Sequence, residues 1–344
     1  MKKLLLLWIT FLILVTCLYG EKKPYIIVSV RGLDNDYYRD VMKGADLFAG
    51  SIGASDRVIK LFNGGNSEKQ IRDFQLTLEK TGKNAIAYFD PNESATVSIL
   101  AQIATQNHIY FATQWNKPEN VWPWDYNPYW VVHSTPNSVS DGYLIARTMF
   151  QSMGGKGKIL AINGRPGNST ARDRFKGLKK ALQEYPGIRL LESKPANWNR
   201  AEAAMLTMSW FSKYSGIDGI WAGNDEMALG ALEIMQEMGR AGKVKICGVD
   251  ATSDAIHAII AGKMLCTVSP DPHWQSGMSL SFAYHAYQGK LKPAELPEEK
   301  RAFFIQSRLI TQKNAGKYLD EYTNGSPAYN YDDLWQGKWS GGIR

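Results

Sequence analysis

Ten side chains in this sequence pair hydrogen-bonding planes with aromatic faces, and they gather at or just beyond the ends of strand-like runs. They are Asn35, Tyr37, Tyr38, Asp90, Gln114, Trp115, Arg174, Trp198, Asn224 and Asp250. Amides, carboxylates and a guanidinium hold donors and acceptors in fixed planes, while indole and phenol rings offer flat apolar faces. Such a set suits reversible capture of a small polar molecule better than covalent chemistry. No nucleophile elbow accompanies it, and the glycine-containing segment 164–167 lacks the Lys-Ser/Thr pair of a phosphate loop. His108, His133, His257, His273 and His285 are dispersed without metal-ligand spacing, so neither metal nor cofactor is implied. Asp90 and Asp250 would serve a glycosidase only if they stood about 5–10 Å apart around one bond, and their spacing in sequence does not show that.

The elements that must position these residues alternate. Strand-like runs at 25–30, 57–62, 84–89 and 109–113 are separated by helical periodicity at 37–52, 67–81 and 93–106. A second series follows, with strands at 131–133, 158–163, 188–192, 219–222, 245–249 and 265–268. Its helices fall at 138–153, 171–184, 200–214, 226–238 and 254–261. This βαβα rhythm predicts parallel sheets with helices on both faces, in two successive halves of ordinary domain size. A further helix at 276–288 and a single strand at 303–310 exceed what the second half needs, so the chain is expected to cross back. The rhythm breaks at 115–130, where Pro118, Pro123 and Pro128 rule out a regular helix in an aromatic-rich insert. That insert reads either as a wall over the site or as a packed loop at the lobe edge. The polar, aromatic tail 328–344 reads as an irregular strap.

The N-terminus carries Lys2 and Lys3, then an apolar run from Leu4 to Val15, and turns polar at Glu21. That is the layout of a signal peptide over residues 1–20, too short for a comfortable membrane span. Cys17 in Leu14-Val15-Thr16-Cys17 resembles a lipidation site, and ordinary cleavage after Gly20 is the other reading. Either places the mature protein outside the cytoplasm. Losing Lys2 and Lys3 brings the formal charge from +7 to +5. The basic residues are scattered without a block or a recognisable motif, which argues against a nucleic-acid partner. Cys247 and Cys266 lie in apolar strand-like runs, as buried thiols or as a disulfide between neighbouring strands.

Several segments together resemble the ribose-binding group of periplasmic solute-binding proteins. The most specific runs from Trp221 to Ala231, with Asn224-Asp225 between strand and helix. Gly248-Val249-Asp250-Ala251-Thr252, Ile260-Ala261-Gly262-Lys263, Thr267 and the segment 164–177 support it, and the likeness extends over about 24–310. It implies two doubly wound parallel-sheet α/β lobes of the type I periplasmic-binding-protein fold, joined by three crossover segments. The expected lobes are 24–135 with 271–305, and 136–269 with 306–327. It implies a monomer that takes a monosaccharide or polyol between its lobes and delivers it to an ABC transporter permease. A sensor of the same fold is the alternative.

The resemblance also distributes roles. Asn35 and the Tyr37-Tyr38 pair match an Asn and two aromatics of the family, and Asp34 reads as structural. Arg174 matches the ligand-gripping Arg, with Arg172 as its confusable neighbour. Trp198 matches the second stacking aromatic, and Asn224 and Asp250 the strand-end hydrogen-bonding pair. Asp225 and Glu226 read as helix-start residues. Three places depart from the ribose pattern. Asp90 stands for an Asn, Gln114-Trp115 for an Asp-Arg pair with Asn116 as a neighbour, and Pro270 for a Gln, leaving Asp271 or His273 nearby.

Overall fold

A computed structural model describes residues 23–325, 327–335 and 338–343. The expected signal peptide and Cys17 lie outside these residues. β1 (Tyr25–Val30) is buried along its last five residues, as an apolar run covered on both faces must be. Then come α1 (Asp36–Ser51), β2 (Val58–Phe62), α2 (Ser67–Thr81), β3 (Ala85–Phe89), α3 (Thr96–Gln106), β4 (Tyr110–Gln114) and β5 (Trp130–Pro136). The chain crosses into the second lobe through α4 (Ser138–Ser152), β6 (Lys156–Asn163), α5 (Ser169–Glu184), β7 (Gly187–Pro195) and α6 (Arg200–Lys213). β8 (Gly219–Ala222), α7 (Asp225–Glu237), β9 (Lys245–Cys247), α8 (Ser253–Ile260) and β10 (Cys266–Ser269) complete that series.

α9 (Pro272–Tyr287) returns to the first lobe, where it packs on α1, β3, β4 and β5. Its start precedes the expected one because Pro272 fits the first helical turn and the Asp271 carboxylate accepts from Trp274 N at 3.2 Å. α10 (Glu298–Arg301) leads into β11 (Ala302–Ile305), parallel to β5, and β12 (Arg308–Thr311) runs antiparallel to β10. The single strand expected over 303–310 is therefore two strands in two sheets. Gln306 and Ser307 break the apolar run, and each half buries its side chains in a different core. α11 (Ala315–Tyr318) closes on the second lobe, where Tyr318 packs into its core. The tail then crosses a fourth time. Tyr329, Tyr331, Leu334 and Trp335 pack beside α9, and β13 (Trp339–Gly342) joins the first sheet antiparallel to β11.

Among the described residues the sheets run β13-β11-β5-β4-β3-β1-β2 and β12-β10-β9-β8-β6-β7. Both are parallel except at β13 and β12. Cys247 and Cys266 are register partners on β9 and β10, and both are free, buried thiols. The insert is irregular apart from one 3-10 turn at Pro123–Tyr126. It is pinned to the lobe edge by buried Arg301, which donates to the carbonyls of Pro123, Trp130 and Val131. No described helix is long and apolar enough to cross a membrane.

α4 and α5 pack closely in the second lobe, and two glycines allow it. A Cβ at Gly142 would overlap the Arg174 carbonyl, and one at Gly177 would overlap the Val139 carbonyl. Gly142→Ala should therefore lower stability by about 1–3 kcal/mol through overpacking. An unchanged denaturation midpoint would show that the helices can part freely.

Candidate functional site

The parallel strands of the two sheets end at a common cleft, the place where open α/β sheets gather loops and helix starts. β1 delivers Arg31, Asn35, Tyr37 and Tyr38, β3 delivers Asp90, Pro91 and Asn92, and β4 delivers Trp115 with Asn116. From the other lobe come Asn168, Thr170, Arg174, Trp198, Asn224 and Asp250. These residues line one cavity between the lobes, walled by side chains of both.

Arg174 is the centre of the cavity and is 3 % exposed. Its guanidinium carbon lies 4.8 Å from the Trp115 ring and 5.6 Å from the Trp198 ring, one from each lobe. One terminal nitrogen donates to Gly223 O at 2.7 Å, the other stands 3.6 Å from Asp250 Oδ1, and buried Nε has no partner. Burial pushes the Asp250 carboxyl well above its ordinary range, while Arg174 and a hydrogen bond from Asn224 pull it back. On the first lobe, burial pushes Asp90 up to about 7, opposed by a hydrogen bond from Tyr38 and by the charges of Arg31 and Arg174. The walls thus combine a rigid fork of donors, two buried carboxyls, and indole faces.

The capping asparagines show how structure and site share one side chain. Asn35 Oδ1 accepts from Tyr37 N at 2.8 Å, and Asn224 Oδ1 accepts from Met227 N at 3.1 Å. Each amide oxygen is spent on a helix start, so the NH2 group is what each can offer a ligand oxygen. Tyr37 acts differently from Tyr38. Its hydroxyl accepts from Trp115 Nε1 at 2.6 Å and donates to Gln275 Oε1 at 2.7 Å, which fixes the indole. Five of the seven described non-glycine residues with positive φ sit here: Trp115 (61°), Asn197 (53°), Trp198 (64°), Asp250 (126°) and Ala251 (54°). Such conformations cost on the order of 1–3 kcal/mol each, and they aim both indoles and one carboxylate into the cleft.

Nine of the ten residues expected at the site line this cavity. Gln114 does not. It is fully buried beneath it, accepting from the Tyr88 hydroxyl at 2.7 Å and reaching Ser134 and Ser279 at 3.4 Å. As the last residue of β4 it points into the lobe, and Trp115 takes the cleft side. Asp271 is also away from the cavity, bonded to Tyr329 and paired with Lys338. Buried His273 faces Asp40 at 3.3 Å. Asp225 holds the helix start in place, accepting from Thr267 Oγ1 at 2.7 Å and Thr252 N at 2.9 Å.

Sequence reasoning missed Arg31, Pro91, Asn92, Asn168 and Thr170. Arg31 follows β1 directly, so the strand-end rule alone would have found it. Asn92, Asn168 and Thr170 contribute through contacts between lobes. Asn168 Nδ2 donates to Asn92 O at 3.3 Å, Arg31 donates to Asn197 O at 2.9 Å, and Asn116 Oδ1 accepts from Thr170 N at 3.3 Å. Arg165 adds a 2.6 Å bond to Gly65 O and a 3.1 Å ion pair with Glu93. The lobes are closed on the cavity.

A family model described as a periplasmic binding protein domain matches residues 26–291. The ribose import binding protein of Haemophilus influenzae is 26% identical over 79% of this chain and 88% of its own length. The D-allose-binding periplasmic protein of Escherichia coli is 26% identical over 83% and 91%. Among solved structures, a twin-arginine translocation pathway signal protein from Burkholderia phytofirmans superposes with a TM-score of 0.90 at 35% identity. It covers 94% of this chain and 99% of its own.

Proposed function

The chain belongs to the periplasmic binding protein domain family, and from that premise we propose that it captures a monosaccharide or sugar-like polyol and delivers it to an ABC importer. Relatives named for ribose and allose carry the sugar reading. The observation that supports it most directly is Arg174, buried between Trp115 and Trp198 with an unpartnered Nε. A sugar hydroxyl or ring oxygen can accept from that fork while the C–H faces meet the indoles. Its other hydroxyls can donate to Asp90 and Asp250. The family's members are binding proteins and not enzymes, and they work outside the cytoplasm.

In this reading residues 24–135 with 271–305 form one jaw, and 136–269 with 306–327 the other. The chain acts as a monomer, and the closed state presents the surface that the permease meets. The ligand-contacting residues are Asn35, Tyr38, Asp90, Trp115, Arg174, Trp198, Asn224 and Asp250, with Tyr37 positioning Trp115. Asp90 and Trp115 make a ribose-type grip on ribose itself unexpected.

A thermal-shift screen over pentoses, hexoses and polyols tests the reading. A ligand at a hundred times its Kd stabilises the native state by about 2.7 kcal/mol, and at roughly 2–4 °C per kcal/mol a hit should raise Tm by about 5 °C or more. A flat response across all three classes would overturn the sugar assignment.

A further inference from the structure

Before the tail, the chain passes between the lobes at β5 to α4, at β10 to α9 and at β11 to β12. Lys338 in the tail touches the last two of these crossovers. Its carbonyl accepts from Gln306 N, between β11 and β12, at 2.8 Å. Its ammonium lies 3.0 Å from Asp271 Oδ2, between β10 and α9. One residue thus ties together two hinge segments that are far apart in sequence.

Both tied residues are hinge residues by position. Asp271 separates the end of β10 in the second sheet from the start of α9 on the first lobe, and its φ of 55° is left-handed. It is buried. Its Oδ1 already accepts from Trp274 N at 3.2 Å and from the Tyr329 hydroxyl at 2.6 Å, so Oδ2 is left to the Lys338 ammonium. A buried carboxylate needs such a counter-charge. The segment before Asp271 is held from the second lobe, where Ser269 Oγ lies 2.8 Å from the Tyr318 hydroxyl. The tail in turn is fixed to the first lobe on both sides of Lys338. Trp335 packs edge-on against Phe282 of α9, Ser340 Oγ donates to Phe304 O at 3.1 Å, and β13 pairs with β11. Lys338, Asp271 and Gln306 all stand outside the lining of the cleft.

We propose that Lys338 is a positioning residue for capture, a clamp that holds these two crossovers in the arrangement of the closed lobes and so raises the closed fraction. The proposal rests on the reading that the chain captures a sugar by closing on it. A group that acts only on closure scales the apparent affinity for every ligand by one factor, because the Kd of the closed form is divided by the closed fraction. A group that touches the ligand changes the order of the sugars instead.

Lys338→Met removes the ammonium and keeps the carbonyl bond to Gln306 N. Calorimetry on the full chain, with each sugar that registers in the thermal-shift screen, should show all affinities falling by a common factor of at least about five. Their order should not change, and Lys338→Arg should keep the wild-type values. Without sugar, the amides of Asp271 and Gln306 should exchange with deuterium at least about tenfold faster in Lys338→Met, while those of β8 keep their wild-type rates. Unchanged affinities, a reordering of the sugars, or hinge amides exchanging at the wild-type rate overturns the proposal. Should Lys338→Met fail to fold, Asp271→Asn, which retains a side-chain oxygen for Trp274 N, is put through the same two measurements and decides it. A flat sugar screen sinks the sugar reading alone, and the exchange rates of the unliganded chain then decide the clamp.

Discussion

Arg174→Ala should lower affinity for the captured sugar by at least about a hundredfold. Hydrogen bonds to a charged group contribute about 1.5–3 kcal/mol each, and the Arg174 fork can make two to a ligand once Gly223 O has taken its share. About 3 kcal/mol is a hundredfold in Kd. The indole pair loses its spacer as well, because the guanidinium lies near both Trp115 and Trp198. The fold itself should suffer less than a broken buried ion pair usually implies. Asp250 already has a raised carboxyl and can take up a proton when its partner leaves. Arg174→Lys keeps the charge without the fork and should fall between wild type and Ala. Calorimetry with the best sugar from the screen, alongside melting curves, reads these effects. Wild-type affinity in an intact Arg174→Ala protein would remove Arg174 from the site.

Much of this site was legible in the sequence because strand ends are legible. Apolar β-branched runs mark where β1, β3, β8 and β9 stop, and parallel topology then sends the next residues to one cleft. The family-like segments around Arg174 and Asn224 sharpened the choice within each loop. Gln114 and Trp115 show the limit of that rule. Both follow the apolar part of β4, but the positive φ at Trp115 turns one side chain to the cleft and leaves the other in the core. No periodicity records that turn. Asn92, Asn168 and Thr170 were hidden for another reason. Their importance comes from meeting the opposite lobe, and a pairing between residues 76 apart leaves no local trace. The 303–310 run failed differently, since two short apolar stretches lie so close together that only Gln306, Ser307 and Arg308 mark the change of sheet.

Unliganded protein should be compact at pH 5 and open at pH 8. The cause is the burial that closure imposes on Asp90, whose carboxyl moves from 3.8 to about 7 in the closed cleft. In an open cleft water returns it toward its ordinary value. The closed form then binds the proton more tightly, so its advantage is full below about pH 4 and is lost as pH rises through about 7. Between pH 8 and pH 5 closure should gain about 2–3 kcal/mol from this group. Glu226 at the cleft mouth, pushed up to about 7 by burial and by Asp36 across the cleft, adds in the same direction. Tyr38, Arg31 and Arg174 face Asp90 and moderate the effect without reversing it. Sugar hydroxyls act oppositely, since they supply the carboxylate with donors and draw its pKa down. Ligand-driven closure should therefore be largest near pH 8, where the unliganded lobes stand apart. Small-angle scattering at the two pH values, with and without the sugar found in the screen, measures this directly. Asp90→Asn, neutral and nearly isosteric, should be compact at both. A radius of gyration insensitive to pH, or an Asp90→Asn protein with the full wild-type response, would show that some other group governs closure.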